Sequence, residues 1–126
     1  MTQEQKDLLL KDLCARLPYG VKVNNEIQGD FVIYGVCENY VFARNTSKHG
    51  WINHADFHIE KVKPYLFPLE SMTEEQEAEY NDLNYCELGT FPHMEAALDY
   101  LIENHFDYRN LIDIGLAIDA TGLNIY

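Results

Sequence analysis

His54, Asp56 and His58 alternate along the chain, with His49 a few residues before them. On a strand, side chains at i, i+2 and i+4 share a face, so the three would project together. Imidazole and carboxylate are zinc-type ligands, and three of them leave a fourth position open for water, as a catalytic metal requires. Alternation in a loop-rich segment also arises without function, and no outer partner for either imidazole can be named. Surface or partly buried histidines are therefore the preferred reading, with a metal-binding protein or metal-dependent enzyme as the alternative. Cys14 with a histidine would make a nucleophile and base. It falls beside Leu10 and Leu17 on an apolar helical stripe, which marks a buried structural thiol, because a reactive one needs an accessible, electropositive setting.

No other chemistry stands out. There is no G-x-S-x-G, P-loop or G-x-G-x-x-G, and the seven glycines stand singly. A catalytic carboxylate pair is defined by environment, which residue order does not reveal. The reading leans away from an enzyme and assigns no cofactor. Cys14, Cys37 and Cys86 are odd in number and widely spaced, which suits small buried hydrophobes better than disulfides or a zinc site.

Charge is the most informative property of the chain. Residues 1–63 hold eight Lys/Arg and eight Asp/Glu, whereas residues 64–126 hold Arg109 as their one basic residue and thirteen acidic ones. Direct binding to nucleic acid or to an anionic membrane needs a basic footprint, so both are excluded, and a basic protein partner fits. No run of 18 apolar residues exists, and MTQEQKDLLL lacks the basic and apolar regions of a signal peptide. The expected location is the cytoplasm.

The elements that must position these groups follow from periodicity. One domain is expected over residues 1–126, burying roughly 65 to 70% of its unfolded surface. The strongest helical pattern is residues 90–108, where Met94, Ala97, Leu98, Leu101 and Ile102, and less cleanly Phe106, form a core-facing stripe. Glu95, Asp99, Glu103 and Asp107 then line up four apart as a row of like charges. Thr2-Gln3-Glu4-Gln5 is a capping box opening an ordinary surface helix that ends at Pro18, with Asp7/Lys11 and Asp12/Arg16 in the favourable i, i+4 order. Val21–Val23, Phe31–Val36, Tyr40–Ala43 and Trp51–Ile52 read as short strands, with Phe31–Val36 the most buried, and Phe57–Lys63 as a strand or helical turn. Pro64–Leu69 reads as an extended connector, Thr73 as the cap of a thinly apolar helix to about Leu83, and residues 109–117 as a helical turn before a docked end. The fold class is α+β. A small curled antiparallel sheet or SH3-like barrel of four to five strands is flanked by an N-terminal helix and two or three C-terminal helices.

Three blocks, KDLCARLPYGVKV at 11–23, KPYLFPLESMTEEQ at 63–76 and ENHFDYRNLIDIGLAIDATGLNIY at 103–126, resemble a family of short, acidic, uncharacterised proteins of gut bacteria, their phages and mobile elements. The resemblance implies a setting and no activity, and it favours binding or inhibition of a host factor over metabolism. The leading expectation is a non-catalytic protein-interaction module, an accessory protein of a phage or mobile element. Its partner-binding residues would be Glu95, Asp99, Glu103, Asp107 and Trp51, the last as an aromatic anchor after a polar loop. A further alternative is an acidic mimic of nucleic acid that inhibits a DNA-binding protein, provided that a second acidic element containing Glu74, Glu75, Glu77, Glu79 and Asp82 lies alongside the row.

Overall fold

The computed structural model describes residues 1–47, 49–84 and 91–126, with side chains described for all of these except 84 and 91–94. Helix α1 (Gln3–Arg16) starts at the expected box, in which the Thr2 hydroxyl accepts from the Gln5 N–H and the Gln5 side chain accepts from the Thr2 N–H. After one 3-10 turn, Leu17–Tyr19, Gly20 reverses the chain at φ 67°, a conformation that suits the residue without a Cβ. Strands β1 (Lys22–Asn25), β2 (Gly29–Cys37), β3 (Tyr40–Thr46) and β4 (Ile52–His58) then form an antiparallel meander. A 3-10 turn at Ile59–Lys61 leads to β5 (Lys63–Pro68), which pairs with β1.

Helices α2 (Glu74–Asn84) and α3 (Phe91–Glu103) follow, and two-residue strands β6 (Phe106–Asp107) and β7 (Ile118–Asp119) both pair with β5 in parallel. The result is the expected α+β fold with more strands: an open, mixed sheet in the order β4-β3-β2-β1-β5-β6, with β7 joined to β5. The segment expected to be a connector is thus an interior strand of the sheet. Its prolines mask it, because Pro64 brings no ladder N–H and Pro68 closes the strand against Asp107. Pro64, Tyr65 and Leu66 are buried in succession, so β5 exceeds Phe31–Val36 in burial.

The inner face of the meander alternates as a half-buried sheet should. Val21, Val23, Phe31, Ile33, Val41, Ala43 and Phe57 pack under Leu9 and Leu13 of α1, joined by Ile59, Val62, Leu66 and Leu111. Lys6 holds Glu60 at 2.6 Å, fastening α1 over the 59–61 turn. Helix α3 buries Ala97, Leu101 and Ile102, as its periodicity requires, but Leu98 stays 40% exposed. The buried stripe is therefore narrower than the sequence pattern suggests. Met94 lies among the side chains that are not described.

Helix α1 is not an ordinary surface helix. Asp12 and Arg16 have no exposed surface. Arg16 Nε donates to Asp12 Oδ2 at 2.8 Å, and its Nη2 donates to the Phe106 carbonyl at 2.7 Å, 90 residues away in sequence. Arg109 Nε lies 3.3 Å from Asp12 Oδ1. One carboxylate thus serves two guanidinium groups at the junction of α1 with the 106–109 segment, and Tyr108 lends its ring face to both, 5.6 Å from Arg16 Cζ and 4.7 Å from Arg109 Cζ.

Leu101→Ala should lower the unfolding free energy by about 2 to 5 kcal/mol in a urea titration, and Leu98→Ala by under about 1 kcal/mol. Asp12→Ala strands the buried Arg16, takes the carboxylate from the partly buried Arg109 and should cost about 3 to 5 kcal/mol, while Asp12→Leu combined with Arg16→Met should recover most of that loss.

Candidate functional site

The outer face of the meander is built by the same alternation that buries its inner face. Tyr34 of β2, Tyr40, Phe42 and Arg44 of β3, and Ile52, His54, Asp56 and His58 of β4 all point outward. Cross-strand pairing sets Arg44 beside His54, Phe42 beside Asp56 and Tyr40 beside His58. His54 packs edge-on to the Tyr34 ring at 5.8 Å and His58 edge-on to Tyr40 at 5.5 Å, while Arg44 Cζ stands 5.9 Å over Tyr34. Large apolar groups here remain in water: Ile52 is 60% exposed and Tyr34 and Tyr40 nearly half, while Trp51, one residue before β4, is 73% exposed. The Trp51 backbone N–H donates to the Ser47 hydroxyl at 3.1 Å and the Ser47 N–H to the Trp51 carbonyl at 2.8 Å, which closes the β3–β4 loop. Of this group only Trp51 was identifiable beforehand as an anchor. Nothing in the residue order singles out the tyrosines and Ile52, because hydrophobicity does not tell the two faces of a strand apart.

His54, Asp56 and His58 do share a face, as expected. Successive members stand two strand residues apart, roughly 7 Å along the strand. His58 is further engaged: its Nδ1 accepts the Glu60 N–H at 3.3 Å and caps the 59–61 turn. Among the described residues no three His, Cys, Asp or Glu side chains are grouped to hold a metal ion. Cys14 is exposed, not buried, as is Cys37, and Cys86 lies outside the described residues.

The acidic row is shorter than its spacing implies. Helix α3 ends at Glu103, and His105 takes φ 63°, so Asp107 falls on β6 and turns inward. There it is buried, accepting the N–H groups of Leu111 and Ile112 at 2.9 Å each, a structural role in folding the 108–116 turns. Glu95, Asp99 and Glu103 remain exposed on α3. Helix α2 does lie alongside, tied by a 3.0 Å bond from the Tyr100 hydroxyl to Glu79, and it exposes Glu74, Glu75, Glu77, Glu79 and Asp82. Eight carboxylates therefore share this helix pair, with Leu98 exposed among them. Helix α3 adjoins β6, so the acidic pair stands at the opposite end of the sheet from β4.

A recess of about 450 Å³ opens beside β6, lined by Phe67, Ser71, Gln76, Glu103, His105 and Tyr126 among others. The His105 and Tyr126 rings stack at 3.7 Å with 10° between their planes. The Tyr126 hydroxyl accepts the Lys22 N–H at 2.8 Å and donates to the Tyr65 carbonyl at 2.9 Å, bridging β1 and β5. Burial pushes Tyr126 up to about 12. Burial also raises Tyr65 to about 12, aided by the bond from its hydroxyl to Asp30 at 2.6 Å. His105 moves the other way, to about 4, chiefly through burial and then through the positive charges of Arg16 and Lys22. Its Nδ1 is buried without a hydrogen-bond partner among the described residues. Nothing in the residue order marks His105, because its environment comes from α1, β1 and the last residues of the chain.

The pH consequence has a definite sign. His105 titrates at about 4 when folded and near 6.5 when unfolded, so between these values the unfolded chain binds more protons. Its contribution to stability is complete above pH 6.5 and is lost as pH falls toward 4. Urea titrations across this window should show a slope that flattens in His105→Asn, a replacement that tolerates the left-handed backbone. No protein-family model matches the chain, and neither does any curated protein or solved structure.

Proposed function

We propose that this chain is a non-catalytic protein-interaction module that docks a partner protein on the outer face of β2, β3 and β4. The observation that carries this reading is the group Ile52, Tyr34 and Tyr40, all large and all left in water on one sheet face, with Trp51 exposed beside them at the start of β4. Scattered apolar residues are normal on a surface, but several together on one face mark an interaction site. Tyrosine and tryptophan are the side chains that most often anchor protein interfaces, and Arg44, His54 and Asp56 supply the polar contacts that fix orientation. An accessory role for a phage or mobile element belongs to the same reading and rests on the resemblance carried by the three sequence blocks.

A second reading takes the acidic helix pair as the contact and a basic, nucleic-acid-binding protein as the partner. It is favoured by the side-by-side placement of α2 and α3, since one row of charges is too sparse to imitate a duplex. Affinity capture from host lysate separates the two. Trp51→Ala with Tyr34→Ser should weaken capture at least about tenfold with stability unchanged, and binding should shift the emission of the single tryptophan. If instead Glu95→Lys with Asp99→Lys abolishes capture and high salt does the same, the acidic reading replaces the first.

A further inference from the structure

Strand β4 is the free edge of the sheet: it pairs with β3 along all seven residues and with no other described strand. Natural edge strands are shortened, bulged, covered, or guarded by lysine or proline, because their unpaired N–H and C=O groups otherwise template another strand. Strand β4 contains no Pro, Lys or Arg, and its register with β3 has no bulge. Two bonds fix which of its backbone groups face outward. Ser47 N–H reaches the Trp51 carbonyl at 2.8 Å and Ile59 N–H reaches the Asn39 carbonyl at 2.7 Å. In the register that continues these pairs, Asn53, Ala55 and Phe57 bond to β3, so Ile52, His54, Asp56 and His58 present their N–H and C=O groups to the open side.

We infer that the occupant of this edge is β4 of a second copy of the chain, paired antiparallel about a two-fold axis at Ala55. A two-fold pairing must match outward-facing residues with outward-facing residues, which leaves few registers. The one that uses the whole strand sets Ile52 against the partner's His58, and His54 against the partner's Asp56, twice over. Moving the register one step one way sets His54 against His54, and one step the other way sets Asp56 against Asp56. An imidazole can donate a hydrogen bond to a carboxylate across a strand pair, whereas Asp56 against Asp56 sets like charges opposite each other. The full-length register is thus also the one in which these side chains complement each other. Arg44 lies directly behind His54 and adds positive charge to the row that meets the partner's Asp56.

Charge across the whole molecule points the same way. A chain of net charge −12 repels its copies, but residues 22–63 hold five basic and five acidic residues, and the acidic helices stand at the far end of the sheet. Edge-to-edge pairing through β4 joins the neutral ends and keeps the acidic ends apart. It proceeds in the plane of the sheet and leaves the aromatic face open, so it goes beyond the partner-binding reading and stands or falls separately from it.

Sedimentation equilibrium of the full chain tests this. The wild type should reach twice the mass of one chain as concentration rises. His54→Asp sets carboxylate against carboxylate and Asp56→Lys sets cation against imidazole; each should raise the dissociation constant about tenfold or more, with the circular dichroism spectrum unchanged. The exchange His54→Asp with Asp56→Lys restores both cross-strand pairs and should restore the dimer. Amide exchange gives an independent reading: the N–H groups of Ile52, His54, Asp56 and His58 should become protected as concentration rises, while those of Asn53, Ala55 and Phe57 are protected throughout. A wild type that keeps the mass of one chain up to about 0.5 mM overturns the proposal. So does a dimer indifferent to both single variants, an exchange variant that stays monomeric, or outward amides whose exchange ignores concentration.

Discussion

Asp12, Arg16 and Arg109 carry two positive charges and one negative into a region where Asp12 and Arg16 have no contact with water. Burying an ion costs several kcal/mol, and the attraction between partners offsets this only when the geometry is good and the remaining polar atoms are served. The Phe106 carbonyl takes Arg16 Nη2 and the Tyr108 ring faces the guanidinium, while Arg16 Nη1 and Arg109 Nε have no hydrogen-bond partner among the described residues. The position of the 106–109 segment is thereby tied to the last turn of α1. From it follow the parallel pairing of β6 on β5, the inward turn of Asp107, the seat of α3 and the surroundings of His105. Well-packed hydrophobic residues would hold the same elements with less need for accuracy; a shared carboxylate specifies one angle of approach.

The fold separates its surfaces along the sheet. The β4 end is neutral and aromatic, with free backbone along its edge, and the β6 end carries the acidic helices. Because α1 covers the inner face, two kinds of contact are left, one on the open face and edge of the meander and one on the helix pair. The first is apolar and geometrically specific, while the second acts at a distance and is weakened by salt.

Much of this architecture can be read from residue order, and the failures have physical causes. Both capping boxes form as their spacing requires, because the N-terminus of a helix is satisfied within four residues. The meander is legible because its strands alternate and its turns are local. Asp12 and Arg16 were visible as an i, i+4 pair, but their burial depends on Phe106 and Arg109, far along the chain. Asp107 kept the helical spacing past the end of the helix, where the break comes at Asn104 and His105 with neither glycine nor proline to announce it. Strand β5 was hidden by its prolines. The outer aromatic face was hidden because periodicity says that two faces differ, not which of two apolar ones meets water.

The bond from Arg16 to the Phe106 carbonyl spans 90 residues, and it gives the order of synthesis a physical meaning. A ribosome extends the chain at about 5 to 20 residues per second, so the meander is complete seconds before Phe106 emerges. During that interval α1 can cover the inner face, but Arg16 has Asp12 alone, and the cluster that will exclude water is unfinished. Closing so long a loop must precede the contacts that reward it, which slows the final step and leaves the edges of β4 and β5 free in the nascent chain. A chain of this topology finishes folding only after its last strands have left the exit tunnel, and until then the edge of β5 that β6 will cover stays open.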